Sequence, residues 1–274
     1  MAYKKLHFLY EKDKEPNNSF AQNLIDELGQ TPLKDADAII SVGGDGLLLQ
    51  ALKSAKGVPV FSITPPESNS RGFWSNHGIS SAKDLTEKLK HAEPIPLTAL
   101  KAKIKFANGN ETVKHAFNDI AIERTSGQAV LLNLTATFSK ESIGPVRIMG
   151  DGFVFSTAMG STGTSHSYGG PATDIHNDVI ILTGKGVYEP RGIAPVVSNA
   201  EKTSFQITFG SVAHKRPVRI DYDGHSIAKD SDGSPIEELE VSADPSYAGC
   251  LLVTDEPSEK AFRALTPQQG KNLP

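Results

Sequence analysis

A carboxylate set inside a glycine turn is the first feature of this chain with chemical content. Gly43-Gly44-Asp45-Gly46 follows the apolar run 38–42 and precedes Leu47-Leu48-Leu49-Gln50-Ala51-Leu52, so it falls where a buried strand turns into a helix. Glycines lack a Cβ and let backbone amides approach a ligand, while the helix N-terminus that follows adds partial positive charge. Phosphate is favoured at such a place. Asp45 would repel it unless a cation bridges the two or the carboxylate acts on a hydroxyl beside the phosphates. Asp45 therefore reads as a reacting group. The competing reading is a tight turn whose Asp caps the next helix.

Two further stretches carry polar chemistry. The block Gly150-Asp151-Gly152 runs through Ser161-Thr162-Gly163-Thr164 to Ser167-Tyr168-Gly169-Gly170. Strand-like sequence flanks it on both sides, and it offers hydroxyls and unhindered amides suited to a polyhydroxylated ligand such as ribose. A glycine-rich hairpin with solvated Ser and Thr is the alternative. His115-Ala116-Phe117-Asn118-Asp119-Ile120 places an amide beside a carboxylate within a strand-like run. Neighbouring strand residues face opposite sides, so both serve one ligand only at a strand end or bulge. The loop 64–76, with two prolines and the pair Phe73-Trp74, could offer faces to a planar ring or pack internally.

The elements that must position these groups change texture once along the chain. Residues 5–10, 36–42 and 58–63 read as strands. Helices at about 19–28 and 47–55 lie between them, the first capped by Asn18 or Ser19, and a third begins at Ser81 with Asp84 as its capping-box partner. This β-α-β-α-β order predicts a Rossmann-like α/β domain with a parallel sheet and a binding edge at the strand C-termini, where Asp45 lies. Glu93-Pro94-Ile95-Pro96 breaks the pattern and marks a boundary. Nine β-textured runs follow, at 98–107, 111–123, 129–138, 145–149, 153–157, 178–184, 203–209, 217–222 and 236–242. They predict an antiparallel, sandwich-like β domain. The expected division is 1–95 and 96–255, with a tail helix at 256–266 returning to the first domain.

Composition limits the partners. The 274 residues suit two domains, and 38% hydrophobic content with 24 Gly and 17 Pro suits a globular chain rich in turns. No apolar run approaches the roughly 20 residues of a membrane span, and no signal-peptide core is present, so a cytoplasmic location is expected. The single cysteine, Cys250, cannot form an internal disulfide, and the histidines show no metal-ligand spacing. A net charge of −4 gives no general attraction to nucleic acid or anionic lipid. Small-molecule chemistry is the expectation.

Taken together, the three blocks resemble the NAD kinase family. Its marks are a Gly-Gly-Asp-Gly loop, an Asn-Glu pair, and a Gly-Asp-Gly…Gly-Ser-Thr-Ala-Tyr…Ser…Gly-Gly block. Residues 43–46, Asn118-Asp119 and 150–170 match these in order, and the resemblance spans about residues 36–225. It implies transfer of a phosphoryl group from ATP to the 2′-hydroxyl of the adenosine ribose of NAD, giving NADP, with a divalent cation, usually magnesium, and no dedicated metal motif in the protein. Asp45 would orient or deprotonate the hydroxyl, and Gly43, Gly44 and Gly46 would hold donor phosphates. Phe73 would lie against adenine, and Asn118 and Asp119 would bind the adenosine and ribose groups. Asp151, Ser161, Thr162, Gly163 and Ser167 would line the nicotinamide-ribose side, and Asp223 would lie near the active site. A homo-oligomer, dimer or tetramer, is also implied. Another Gly-Gly-Asp-Gly kinase with a lipid or sugar acceptor, and a nucleotide-binding module without catalysis, remain as alternatives.

The chain departs from the family pattern at several positions. Asp119 stands for Glu, one methylene shorter, Gly163 for Ala, Thr164 for Tyr, and Leu47 for the common Thr after the loop. The usual Gly-x-x-Gly-Phe-Leu loop is reduced to Ser70-Arg71-Gly72-Phe73-Trp74 behind an unusual Pro65-Pro66-Glu67.

Overall fold

Alternating apolar and amphipathic stretches in the first third of the chain fold as parallel strands joined by helices. The structure, a computed structural model, describes residues 3–70, 72–76, 78–210 and 215–254. The chain divides into two units, one holding residues up to Leu97 and the segment from Ala248, the other Thr98–Tyr247. The tail read as a helix at 256–266 lies outside the described residues.

The first unit contains β1 (Leu6–Tyr10), α1 (Asn17–Leu28), β2 (Ala38–Val42), α2 (Asp45–Ala55), β3 (Val60–Ile63) and α3 (Ala82–Lys90). β1 pairs in parallel with β2, Leu6 opposite Ala38, and β2 with β3, Ile39 opposite Val60. Every residue of β2 and β3 is buried, as expected for parallel strands sealed on both faces. Phe8, Leu24, Ile40, Phe61, Ile63 and Leu85 belong to one core. Caps differ in detail from the sequence reading. α1 starts at Asn17 with no side-chain cap, and the Glu15 carboxylate takes the amide and hydroxyl of Ser19 instead. At α3, Ser81 Oγ accepts the Asp84 amide at 3.1 Å, while the Asp84 carboxylate reaches back to Ser80 rather than Ser81. α2 ends in Lys56 at φ 48° and Gly57 at φ 88°, the left-handed turn that glycine favours.

The second unit is a pair of largely antiparallel sheets. One contains β6 (Asp119–Arg124), β9 (Gly152–Ser156), β10 (Val179–Lys185), β11 (Val196–Asn199), β13 (Val218–Tyr222) and β14 (His225–Ile227), in the order β11-β10-β9-β6-β13-β14. The other includes β5 (Glu111–Ala116), β7 (Val130–Phe138), β8 (Glu141–Gly150), β12 (Thr203–Thr208) and the parts of β4 (Glu93–Phe106) and β15 (Ile236–Val253) that fall within Thr98–Tyr247. Inward residues of both sheets, among them Ile122, Phe153, Phe155, Leu132, Phe205 and Leu239, share one core. That is the sandwich arrangement. The 93–96 stretch, read as a break, is the start of β4. Pro94 and Pro96 fall on its exposed side, alternating with buried Ile95 and Leu97, and prolines at a strand start leave the ladder intact.

Period-two alternation leaves the outer face of the six-stranded sheet polar. Ile120 and Ile122 go to the core, so Asp119 and Glu123 go outward; the same parity turns Thr183 and Lys185 of β10, and Arg219 and Asp221 of β13, to that face. The 3₁₀ turn Met159–Thr162 and the short α4 (Thr164–Ser167) pack against β9 and β10. The two flanking strands are where the sequence placed them, as β9 and β10, but the segment between them holds helical turns where a polar loop was predicted.

Candidate functional site

In the first unit the site grows from the end of β2. Gly43 donates its amide to Ile63 O at 2.8 Å, which holds the loop to β3. Gly44 is the N-cap of α2, and a Cβ there would meet Ser70 Oγ at 2.3 Å. Gly46 is exposed, with nothing within 4 Å of the place a Cβ would occupy. A Cβ at 44 would make the Ser70 hydroxyl rotate away, and at 46 an open approach to the backbone remains. Asp45 is the first residue of α2 and does not cap it. Its carboxylate accepts the Phe73 amide at 2.7 Å and the Trp74 amide at 3.0 Å, drawing the loop 64–76 onto the helix start. Each oxygen keeps a second lone pair for a further donor. Among the described residues, the amides of Gly44, Asp45 and Gly46 find no protein acceptor. They lie on a cavity of about 450 Å³ whose other walls include Lys14, Asn17, Ser68 and Ser70.

Phe73 is half-buried, and its ring meets that of Trp74 edge-on with centroids 4.9 Å apart. Trp74 is only 3% exposed. Of the two aromatics, Phe73 alone keeps surface to offer a ligand.

The second unit gathers its polar groups around the start of β6. The run 111–123 is split at Phe117-Asn118, because the Asp223 carboxylate takes both amides at 2.8 Å and that of Asp119 at 3.4 Å. Asp223 sits at φ 46° in the turn between β13 and β14. This places Asn118 and Asp119 at a strand end, the condition for the two side chains to serve one ligand. Thr157 donates its amide to Asn118 O at 2.9 Å, and its hydroxyl accepts the Gly160 amide at 3.1 Å. A Cβ at Gly160 would lie 2.2 Å from Asn118 O, so the helical turn can approach only as glycine. Asn118 Oδ1 is buried without a protein partner, an acceptor left for a ligand donor.

Asp119 is the perturbed carboxyl of the cluster. Burial, then repulsion from Asp223, pushes its pKa up to about 6, while the Thr164 hydroxyl and the Lys185 ammonium oppose the rise. Lys185, 3% exposed, is paired with Glu123 and lies 4.7 Å from the centre of the Tyr168 ring. Burial lowers its pKa, and Asp221 and Asp119 act the other way.

The remaining predicted residues divide. Ser161 is buried and bonded to the backbone of Thr173 in both directions, at 3.3 and 3.0 Å, so its hydroxyl braces the block. Thr162, Gly163 and Ser167 line the turn with more exposure, the Ser167 hydroxyl donating to Thr164 O at 2.7 Å. Asp151 is engaged at the β8–β9 turn, 2.8 Å from Arg124 Nε, and no contact ties it to Asn118 or Asp119. Thr157 and Lys185 were not predicted, since their roles depend on partners distant in sequence. Among the histidines, His115 pairs with Asp244 at 2.9 Å and stacks on Tyr247 at 4.0 Å, a packing arrangement.

No protein-family profile matches the chain. Individual proteins do. The chain is 31% identical over 231 residues to an NAD kinase of Cereibacter sphaeroides, covering 82% of this chain and 83% of that protein. It is 30% identical over 219 residues to an NAD kinase of Xanthomonas campestris pv. campestris, covering 78% and 80%. In fold it is similar to yeast NADH kinase in complex with NADH, with a TM-score of 0.78 at 18% identity over 99% of this chain and 89% of that one. It also resembles an NAD kinase from Archaeoglobus fulgidus in complex with ATP, with a TM-score of 0.64 at 21% identity over 95% and 96%. With relatives of this similarity along most of its length and all three motif blocks in order, the chain belongs to the NAD kinase family.

Proposed function

We propose that this protein is an NAD kinase, transferring the γ-phosphoryl group of ATP to the 2′-hydroxyl of the adenosine ribose of NAD. The observation that carries the reading is Asp45: a carboxylate fixed by two backbone amides at the mouth of a glycine turn whose own amides face a polar cavity. Beyond anchoring the Phe73 and Trp74 amides, a pure phosphate-binding turn has no use for that charge.

Phosphoryl transfer asks for positioning, charge neutralisation and an oriented nucleophile, with little covalent work by the protein. The acceptor oxygen forms a bond to the γ-phosphorus as the bond to the β–γ bridging oxygen breaks. ADP leaves with that electron pair, and the hydroxyl proton passes to Asp45, which orients the hydroxyl before it does so. Amides at residues 44–46 hold donor phosphates, and Phe73 lies against the adenine ring. Asn118 Oδ1 accepts from the adenosine group, and Asp119 from a ribose hydroxyl, Thr164 holding it in place of the longer Glu. Thr162, Gly163 and Ser167 line the nicotinamide-ribose side together with Asp151, while Ser161 and Asp223 brace the backbone. A divalent cation, magnesium in this reading, would come with ATP and would supply neutralisation of phosphate charge, with no group of three or more His, Cys, Asp or Glu among the described residues placed to hold it. The active form is a cytoplasmic homo-oligomer.

The test is direct. Purified protein is incubated with NAD, ATP and magnesium, and NADP is read with a strictly NADP-dependent dehydrogenase. Absence of NADP with every donor tried removes the proposal.

A further inference from the structure

Asn17 opens α1 and has no role in the chemistry described so far. It is 3% exposed, its Oδ1 is sealed from solvent without a partner, and its amide nitrogen donates to nothing among the described residues. A buried amide left unpaired costs about 1–3 kcal/mol, and folded proteins keep few of them. The side chain lines the same cavity as Gly44, Asp45 and Gly46, and its Nδ2 lies 3.5 Å from where a Cβ of Gly43 would be.

The rest of the cavity has a matching character. Its amides at 44–46 lack protein acceptors and stand at the N-terminus of an eleven-residue helix, where partial positive charge gathers. Lys14 and Glu11, both on the wall, pair at 3.1 Å and together add no net charge. The Asp45 and Glu11 carboxylates stand against this set of donors, and the Lys14 ammonium offsets one of them. An oxyanion chain satisfies the donors, the Asn17 NH₂ included, and leaves Asn17 Oδ1 as it is.

We propose that Asn17 is a phosphate-positioning residue of the donor site, its side-chain amide donating to an oxygen of the ATP polyphosphate. This rests on the ATP-dependent kinase reading above. The acceptor nucleotide has no part in the contact.

The full-length protein and its Asn17→Ala and Asn17→Asp variants test it. Three quantities are measured: KM for ATP and for NAD, calorimetric affinity for inorganic triphosphate with magnesium, and the melting temperature. Losing one hydrogen bond to a charged group corresponds to about 10- to 100-fold. KM for ATP and Kd for triphosphate should rise by that factor in Asn17→Ala, and further in Asn17→Asp, which places a negative charge against phosphate. KM for NAD should stay within about twofold. The melting temperature of Asn17→Ala should not fall, because no protein hydrogen bond is removed. A residue that merely packs would give the reverse, lower stability with unchanged triphosphate binding, and that result overturns the proposal. So does failure of the unmodified protein to bind triphosphate. Triphosphate binding that depends on Asn17 in a protein that makes no NADP would sustain this inference while removing the kinase reading.

Discussion

The Phe73 amide donates to Asp45 Oδ2 at 2.7 Å, and this bond makes the proposed catalytic carboxylate a structural anchor too. Trp74 adds a second amide on Oδ1 at 3.0 Å. From sequence alone, Asn at position 45 is neutral for the fold; the loop contact changes that. An amide side chain has one acceptor and one donor end, so one loop N–H would face an NH₂. A buried donor left unpaired costs about 1–3 kcal/mol, which for a chain of this size lowers Tm by roughly 2–10 °C. Asp45→Asn should therefore lose about 10²- to 10⁴-fold in kcat and also melt earlier. Melting curves beside the NADP assay separate the two effects. An Asp45→Asn protein that melts early and keeps its kcat would leave the residue with the anchoring role alone.

This double role shows which parts of the molecule can be read from sequence. The glycine turn at 43–46 and the alternation around it were legible because they follow local rules, apolar periodicity and backbone freedom. The split of the run 111–123 was not, because its cause is Asp223, more than a hundred positions later. β11 and β14, of four and three residues, are too short to show a period. The helical turn at 159–167 was hidden by glycines and hydroxyl residues that favour loops in isolation. Lys185 reads as an ordinary exposed lysine until strand parity and α4 bury it against Glu123.

Gly160→Ala tests whether the helical turn sets the position of Asn118. The added Cβ would fall 2.2 Å from a backbone oxygen, which cannot rotate away as a side chain can. Either the turn or the Asn118 peptide must shift. Strain of this kind costs about 1–3 kcal/mol, so Tm should drop and kcat/KM for NAD should fall about 5- to 150-fold, with KM for ATP nearly unchanged. Equal losses in both KM values would mean the turn does not act through the NAD contacts.

Lys185→Met removes a buried cation while keeping much of its bulk. Glu123 then loses its partner; breaking one side of a fully buried pair costs about 3–5 kcal/mol, and the cost here is smaller because the Glu123 side chain stays 22% exposed. The double variant Lys185→Met, Glu123→Gln removes both charges and should recover most of the lost stability. Chemical denaturation of these variants beside the unmodified protein and Glu123→Gln alone gives the coupling directly. No recovery in the double variant would mean that Lys185 is held by its other neighbours, Tyr168, Asp119 and Asp221, rather than by Glu123.

Asp119 should give the enzyme a pH dependence with a calculable sign. Its pKa is raised, by burial and then by Asp223, to about 6 in the folded protein, against about 3.9 in the unfolded chain. Below roughly pH 4 both states hold the proton. Between roughly 4 and 6 only the folded state does, so the contribution of Asp119 to stability declines as pH rises through that window, and the full penalty for its buried charge is present above it. With the ribose contact proposed for Asp119, recognition runs the other way, because only the ionised carboxylate accepts from a hydroxyl with both oxygens. At saturating ATP, kcat/KM for NAD should climb with pH through an inflection near 6. Thr164→Ala deletes the hydroxyl that opposes the shift and should move the inflection upward, while Asp119→Asn should remove it and lower the plateau. If Asp119→Asn keeps the same inflection, another group titrates there, and Asp119 has no part in binding the ribose.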